Sequence, residues 1–177
     1  MPDYRRNRVP GATYFFTVNL LDRRSDLLVA RIDALREAVR QVRRRRPFHI
    51  DAWVVLPDHM HCLWTLPEGD SGFRARWRDI KTEFAKSLPA IEQRSPVMVR
   101  RGERGNWQRR FWEHTIRDDR DYAAHMDYVH FNPVKHGLAQ TPADWPFSSF
   151  PRCVARGLYS ACWLGGAAEP AKTGERS

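Results

Sequence analysis

The stretch IDAWVVLPDHMHCLWTL, residues 50–66, contains two apolar segments joined by a short polar turn. β-Branched and aromatic residues are concentrated in 50–56 and 60–66, which is typical of strands. Pro57 and Asp58 favour turns and leave room for only a short connection. The stretch therefore predicts a β-hairpin, from which the rest of the fold can be built outward.

The sequence on either side of this hairpin predicts two further strands and three helices. Two of the helices show apolar residues at helical spacing. Asp118 or Asp119 is a suitable N-cap for the last helix, and Pro133 lies just past its expected end. The predicted elements are a strand at 14–18, a helix at 32–45, a helix at 73–88, a strand at 107–116 and a helix running to about Asn132.

The order strand, helix, strand, strand, helix, strand matches a ferredoxin-like βαββαβ layout. The predicted fold class is therefore α+β, with an antiparallel sheet that carries helices on one face. A C-terminal helix and an irregular tail follow this unit. We expect one domain over 1–165 and a disordered tail over 166–177.

The composition of the 177-residue chain is strongly basic, with 30 Lys and Arg against 21 Asp and Glu and a net charge of +9. Such a surface predicts a nucleic-acid or anionic membrane partner, although it can also reflect a preference for Arg over Lys. No apolar run approaches the roughly 20 residues needed to span a bilayer. The polar start has no signal-peptide pattern, and the three cysteines lack paired spacing. We therefore expect a cytoplasmic protein that binds nucleic acid and not membrane.

Arginine clusters indicate where nucleic acid would bind, because Arg makes bidentate contacts with phosphate. The outward face of the helix at 73–88 is expected to present Arg74, Arg76, Arg78, Lys81 and Lys86. The run at 43–46 has an alternative role, since cations also stabilise a helix C-terminus. The predicted DNA contacts are Arg5, Arg6, Arg8, Arg43, Arg44, Arg45, Arg46, Arg74, Arg78 and Lys81.

Two histidines in the hairpin form half of a possible metal site. His59 and His61 lie two residues apart on a predicted strand, so both side chains point to one face while Met60 points into the core. Two imidazoles on one face suit a divalent ion. Pairs of this kind also occur as ordinary surface or core histidines.

The predicted helix over 121–132 carries a candidate nucleophile. Tyr128 and Asn132 are four residues apart and share one helix face, which His125 joins. Phosphodiester transfer needs a nucleophile and charge neutralisation on the phosphate. A tyrosine with a pKa of about 10 needs activation, and a divalent metal supplies Lewis acidity at the phosphate. The alternatives are an ordinary half-buried tyrosine and a rival nucleophile, Tyr122, which lacks an Asn or Gln four residues on.

A metal centre can be assembled from these two regions. His59, His61 and the amide oxygen of Asn132 are neutral ligands that leave the full charge of the ion for the phosphate. Their mixed nitrogen and oxygen set suits Mn²⁺ or Mg²⁺.

The motifs of this chain resemble those of the REP-associated tyrosine transposases, a branch of the single-strand HUH transposases with one catalytic tyrosine. The resemblance covers roughly residues 4–165, and the combination of motifs is far more specific than any one of them. The matching segments are the His-hydrophobe-His motif at 59–61, the long signature at 107–138, the start at 10–17, and the C-terminal motifs at 145–150 and 157–159. Residues 160–163 lack the acidic residue expected before Trp163, which affects only the tail.

The resemblance implies a divalent metal held by His59 and His61, with Asn132 at the position of the third polar ligand. It implies that Tyr128 attacks a DNA phosphate, forms a 5′-phosphotyrosine link and frees a 3′-hydroxyl that permits rejoining. The implied substrate is single-stranded DNA that carries repetitive extragenic palindromes folded as hairpins.

Supporting positions are expected next to this site. His125 is expected to orient Tyr128 or a phosphate, or else to lie exposed. Glu113 and His114 alternate on a strand, so only one of them can face the site.

Several functions remain open from the sequence. The intact set of His59, His61, Tyr128 and Asn132 favours an active nuclease and strand-transferase over a domesticated hairpin-DNA-binding protein. An HUH nickase for plasmid or phage replication is a third possibility. A fourth is a metal-dependent hydrolase that uses water and leaves no covalent adduct. The sequence does not distinguish a monomer from a homodimer.

Overall fold

The computed structural model describes residues 8–90, 93–166, 170 and 172–175. Within these ranges the elements, in chain order, are β1 (Thr13–Asn19), α1 (Leu27–Ala30), α2 (Ile32–Arg45), β2 (His49–Val55), β3 (His59–Thr65), α3 (Phe73–Lys86), α4 (Pro96–Arg100), β4 (Trp112–Thr115), α5 (Asp119–Lys135), a 3-10 turn (Pro142–Asp144) and α6 (Phe150–Ala155). None of the helices in the described part of the chain has both the length and the apolar character needed to cross a bilayer.

The four strands form one antiparallel sheet in the order β2-β3-β1-β4. The predicted hairpin is present as β2 and β3, and β1 lies at the centre between β3 and β4. The middle of β1 is buried along five consecutive residues, because helices cover both faces of the sheet there. The predicted α+β fold with a ferredoxin-like order of elements is confirmed.

The first face of the sheet packs against α2 and α3 through a large aromatic cluster. Trp64 of β3 stacks on Trp77 of α3 with ring centroids 4.2 Å apart, and Phe16 of β1 contacts both rings. Aromatic pairs of this kind stabilise the fold beyond what the burial of their apolar area contributes. This cluster is the larger of the two cores and fixes the sheet against its helices.

The second face packs against α5, which extends three residues beyond its expected end. The prediction that the helix stops near Asn132 was wrong, because Pro133 lies inside it. A proline removes one N–H donor, yet the backbone N–H of His136 still donates to the carbonyl of Asn132 at 3.0 Å. Gly137, with φ of +69°, provides the left-handed residue that ends the helix.

The fourth strand is shorter than the sequence predicts. It covers Trp112–Thr115 and not 107–116, and Trp107 makes only an isolated bridge to Leu20. The backbone N–H of Gln108 donates to the carbonyl of Asn19 at the end of β1, so this segment follows the sheet edge without a continuous ladder.

Arg76 was expected on the outward basic face of α3, and that expectation was wrong. The side chain is 3% exposed because it lies on the same helix face as Phe73 and Ile80. Its guanidinium donates to the carboxylate of Asp70 at 2.7 and 3.2 Å and to the carbonyl of Pro47 at 2.7 Å. The hydrogen bond from Arg76 lowers the pKa of Asp70. Arg76 therefore joins the loop after α2 to the start of α3 and is not available to DNA.

Replacing Arg76 should destabilise the fold. Arg76→Met removes the hydrogen-bond partner of Asp70 and of the Pro47 carbonyl, so we expect the free energy of unfolding to fall by about 2 kcal/mol. Urea denaturation of the purified protein measures this change. Arg74→Met, at an exposed position of the same helix, is the matched control and should change stability by less than about 0.5 kcal/mol. Equal effects of the two substitutions would contradict the role given to Arg76.

Candidate active site

The hairpin places both predicted metal-binding histidines on the face that α5 covers. His59 is 3% exposed and His61 is fully buried, while Met60 points into the opposite core. The two imidazole rings have centroids 5.1 Å apart. The alternation of side chains along β3 thus has the geometry that the spacing predicts.

Packing of α5 brings Tyr128 to these histidines. The rings of His61 and Tyr128 have centroids 5.2 Å apart, and Phe15 of β1 contacts both of them at 5.6 and 5.9 Å. Tyr128 is 5% exposed. A phenol and two imidazoles from distant parts of the chain therefore share one buried centre.

Two residues at the end of α5 join this centre and were missed by the sequence reasoning. The ammonium of Lys135 lies 4.8 Å above the Tyr128 ring and 3.4 Å from its hydroxyl oxygen. The ring of His136 lies 5.2 Å from that of His59. Helical spacing could have identified both, since Lys135 follows Tyr128 by seven residues and His136 follows Asn132 by four, but the helix was expected to end too early.

The carboxylate of Glu175 lies in the middle of these groups. Its Oε2 accepts hydrogen bonds from the Tyr128 hydroxyl and, at 2.9 Å, from Lys135. Its Oε1 lies 3.1 Å from Nε2 of both His59 and His61 and 2.7 Å from Nε2 of His136. The centre therefore accommodates an anionic group.

The predicted disordered tail, 166–177, lies partly outside the described residues, which include 166, 170 and 172–175 of it. No sequence signal pointed to Glu175, because its partners lie up to 116 residues away.

Burial is the largest influence on the ionisation of His61 and Tyr128. It lowers the pKa of His61 to about 4, so the imidazole is neutral near pH 7 and has a lone pair to coordinate a metal. Burial, followed by the hydrogen bond to Glu175, raises the pKa of Tyr128 to about 12. The phenol is therefore protonated near pH 7 and needs a positive neighbour to become a nucleophile.

The donor set fits a divalent ion. Asn132 is fully buried, and neither of its amide atoms has a hydrogen-bond partner among the residues that the structure describes. An unpartnered buried amide is unfavourable unless a ligand satisfies it. Together with the imidazoles of His59 and His61, its neutral amide oxygen would complete a mixed nitrogen and oxygen donor set suited to Mn²⁺ or Mg²⁺.

The supporting residues anchor α5 to the sheet. His114 lies opposite Phe15 and faces α5, whereas Glu113 lies opposite Phe16 and faces the other core. His114 Nε2 lies 2.8 Å from the carboxylate of Asp121, and its ring stacks on that of His125 at 4.8 Å. His125 is 2% exposed and donates from Nδ1 to the carbonyl of Asp121. This cluster holds the first turns of the helix that carries Tyr128.

The predicted DNA contacts fall into two groups. Arg8, Arg74, Arg78 and Lys81 line a groove of about 980 Å³ between α3 and residues 101–111, together with three further arginines. These three are Arg101, Arg104 and Arg109. Arg5 and Arg6 lie outside the described residues.

The arginine run at 43–46 does not line this groove. Arg43 donates to the carbonyl of Phe48 at 3.1 Å. Arg45 and Arg46 form ion pairs with Glu83 and Asp79 of α3. Arg44 is exposed. Three of the four side chains thus make contacts within the protein, and two of them join α2 to α3.

Comparisons with known proteins identify close relatives. The chain is 52% identical over 165 residues to the REP-associated tyrosine transposase of Escherichia coli K12, which covers 93% of this chain and 92% of that protein. A relative from Haemophilus influenzae with the same family name is 44% identical over 166 residues, covering 93% and 94%. A solved structure of a REP-associated tyrosine transposase bound to a REP hairpin matches with a TM-score of 0.85 and 50% identity, over 100% of this chain and 99% of that chain. No family model matches the chain.

Removing the negative charge of Glu175 should make Tyr128 easier to ionise. The hydrogen bond and charge of Glu175 both raise the pKa of Tyr128, so Glu175→Gln should lower it from about 12. It should remain above the ordinary value of 10.0, because burial is the larger cause. Carbon-13 NMR of ring-labelled tyrosine, recorded in EDTA, measures the shift. Tyr159, which donates to Asp127, is the internal control, and a pKa of Tyr128 that does not move would contradict the contact.

Proposed function

The chain belongs to the family of REP-associated tyrosine transposases, and we propose that it cleaves and rejoins single-stranded DNA beside REP-type hairpins through Tyr128. The observation that carries this proposal is the convergence of Tyr128 with His59 and His61 in one buried centre. The hairpin substrate is supported by the similar solved protein, which is bound to a REP hairpin.

Tyr128 is the better of the two candidate nucleophiles. Its hydroxyl donates to the carboxylate of Glu175, which lies among the histidines, and is 3.4 Å from the ammonium of Lys135. The rival Tyr122 instead donates to the carboxylate of Asp51 at 3.0 Å, and burial and that carboxylate raise its pKa. A phenol held by a carboxylate away from the histidines is poorly placed to attack a phosphate.

The proposed reaction is a transesterification. The Tyr128 oxygen forms a bond to the scissile phosphorus while the bond to the 3′-oxygen of the preceding nucleotide breaks. The products are a 5′-phosphotyrosine and a free 3′-hydroxyl, and attack by a 3′-hydroxyl on this link reseals DNA and returns the phenol. The charge of Lys135 lowers the pKa of Tyr128 and so favours the phenolate.

A divalent ion held by His59, His61 and Asn132 would supply Lewis acidity at the scissile phosphate. The residues of the chain contribute the rest. His59 and His61 hold their rings in fixed orientations through Asp58 and Thr17, and Phe15 packs against both His61 and Tyr128. The helix of Tyr128 is anchored at its start by Asp121.

The basic groove beside α3 is the proposed hairpin-binding surface. Arg74 and Arg78 are exposed along it, and Lys81 lies over the rings of Trp107 and Phe111. Cations that follow one groove are suited to a phosphate backbone, and aromatic rings beside them are suited to unpaired bases.

Removal of the Tyr128 hydroxyl should abolish covalent attachment to DNA. We expect Tyr128→Phe to reduce the protein–DNA adduct to background in a denaturing gel with labelled hairpin DNA and Mn²⁺, while gel-shift binding persists. Tyr122→Phe is the matched control and should retain the adduct. Binding without any adduct in the wild-type protein would favour the domesticated DNA-binding alternative. An adduct formed by Tyr128→Phe would refute the proposed nucleophile.

Neutralising the groove should weaken the salt dependence of DNA binding. Each lost phosphate contact reduces the slope of log affinity against log salt by about 0.9 on duplex DNA, so Arg74→Ala with Arg78→Ala should reduce it by about 1.8. Fluorescence anisotropy of labelled hairpin DNA across a salt series measures the slope. Arg36→Ala with Arg40→Ala makes the same change of charge on α2, where both are ion-paired, and should leave the slope nearly unchanged.

A further inference from the structure

Three imidazole nitrogens surround a single point in the candidate active site. Nε2 of His59, His61 and His136 lies 3.1, 3.1 and 2.7 Å from one atom, Oε1 of Glu175. The ligand atoms of His59, His136 and Glu175 also lie within 4.8 Å of one another. His136 was not among the residues expected to bind a metal.

The opposite nitrogens of the two hairpin histidines have defined partners. Nδ1 of His59 lies 2.7 Å from the carboxylate of Asp58, which accepts a hydrogen bond from its N–H. Nδ1 of His61 lies 2.8 Å from the hydroxyl of Thr17, whose own proton is donated to the carbonyl of Thr173. A neutral His61 therefore carries its proton on Nδ1, and so does a neutral His59. Metal-binding histidines are typically oriented in this way, with the outer nitrogen protonated and the inner one free to coordinate.

This arrangement directs the Nε2 lone pairs of His59 and His61 at the lone pairs of a Glu175 carboxylate oxygen. With protons on Nδ1, Nε2 of His59 and His61 cannot donate to Glu175, and a carboxylate oxygen has two lone pairs and no proton to offer. The lone pairs of His59 and His61 around one such oxygen are therefore better suited to a shared cation than to two hydrogen bonds, and Nε2 of His136 lies at the same point.

His136 occupies the open side of this centre. It follows the last residue of α5, and its backbone N–H donates to the carbonyl of Asn132. Its side chain is 36% exposed, whereas those of His59 and His61 are 3% and 0% exposed. A ligand at this position would contact both the ion and solvent.

We propose that Nε2 of His136 is a third imidazole ligand of the divalent ion. This inference rests on the metal centre proposed above, in which His59, His61 and Asn132 hold the ion. It adds a nitrogen from the residue that caps α5, so that Tyr128, Asn132 and His136, each four residues after the one before, come from α5 and its C-terminal cap. The nucleophile and two ligands then move together as one rigid element.

The test is Mn²⁺ binding by the full-length protein without DNA, measured as loss of the free-Mn²⁺ EPR signal. His136→Ala should weaken binding by at least about tenfold, because loss of a direct ligand should cost no less than loss of a group that only orients a ligand, which typically costs roughly 10- to 100-fold. His49→Ala, an exposed histidine at the start of β2, is the matched control and should bind as the wild type does. Circular dichroism in EDTA should show that both variants fold, since His136 lies at the surface.

Two further variants separate the possible failures. If His59→Ala weakens Mn²⁺ binding and His136→Ala does not, the inference is overturned and the metal centre stands. If His59→Ala also has no effect, the proposed metal centre itself fails. In a Glu175→Gln background, His136→Ala should produce the same loss. If His136→Ala causes no loss of Mn²⁺ affinity in the Glu175→Gln background, His136 only holds Glu175 in place, and this result also overturns the inference.

Discussion

The packing of α5 against the Phe15 face of the sheet is the contact on which the candidate site depends. Phe15, Val54 and Leu63 offer an apolar surface to Met126 and Val129, and the hydrophobic effect holds the helix there. Because Tyr128 lies between those two residues in the helix, the same contact brings its hydroxyl to the histidines of β3. At its start, α5 is held by Asp121, which binds His114 across the gap to β4.

The two faces of the sheet serve different parts of the proposed function. The face that packs against α2 and α3 is an aromatic core, and the exposed side of α3 lines the basic groove. The other face carries Tyr128 and the histidines. Under the proposed function, a hairpin in the groove would reach Tyr128 with a single-stranded flank that passes around the sheet.

Much of this arrangement could be predicted from local pattern. Alternation along β3 predicts that His59 and His61 share a face, and helical spacing predicts that Tyr128 and Asn132 do. The length of α5 could not be predicted, since the effect of Pro133 depends on how strongly the helix is held by packing. Lys135 and His136 were missed for that reason. Arg76 was expected at the surface because a charged residue is rarely buried unless it is paired, and its partner Asp70 can be identified only from the structure.

By itself, the sequence determined the order of elements, the hairpin, the common face of the two histidines and the resemblance to a transposase family, because these follow from short-range periodicity and from motifs. Only the tertiary structure decided that His136 and Lys135 join the site, that Glu175 lies between them, and that most of the arginine run at the end of α2 is used within the protein. Each of these depends on contacts between segments far apart in the chain. Such contacts arise from the packing of a whole face, which no local pattern records.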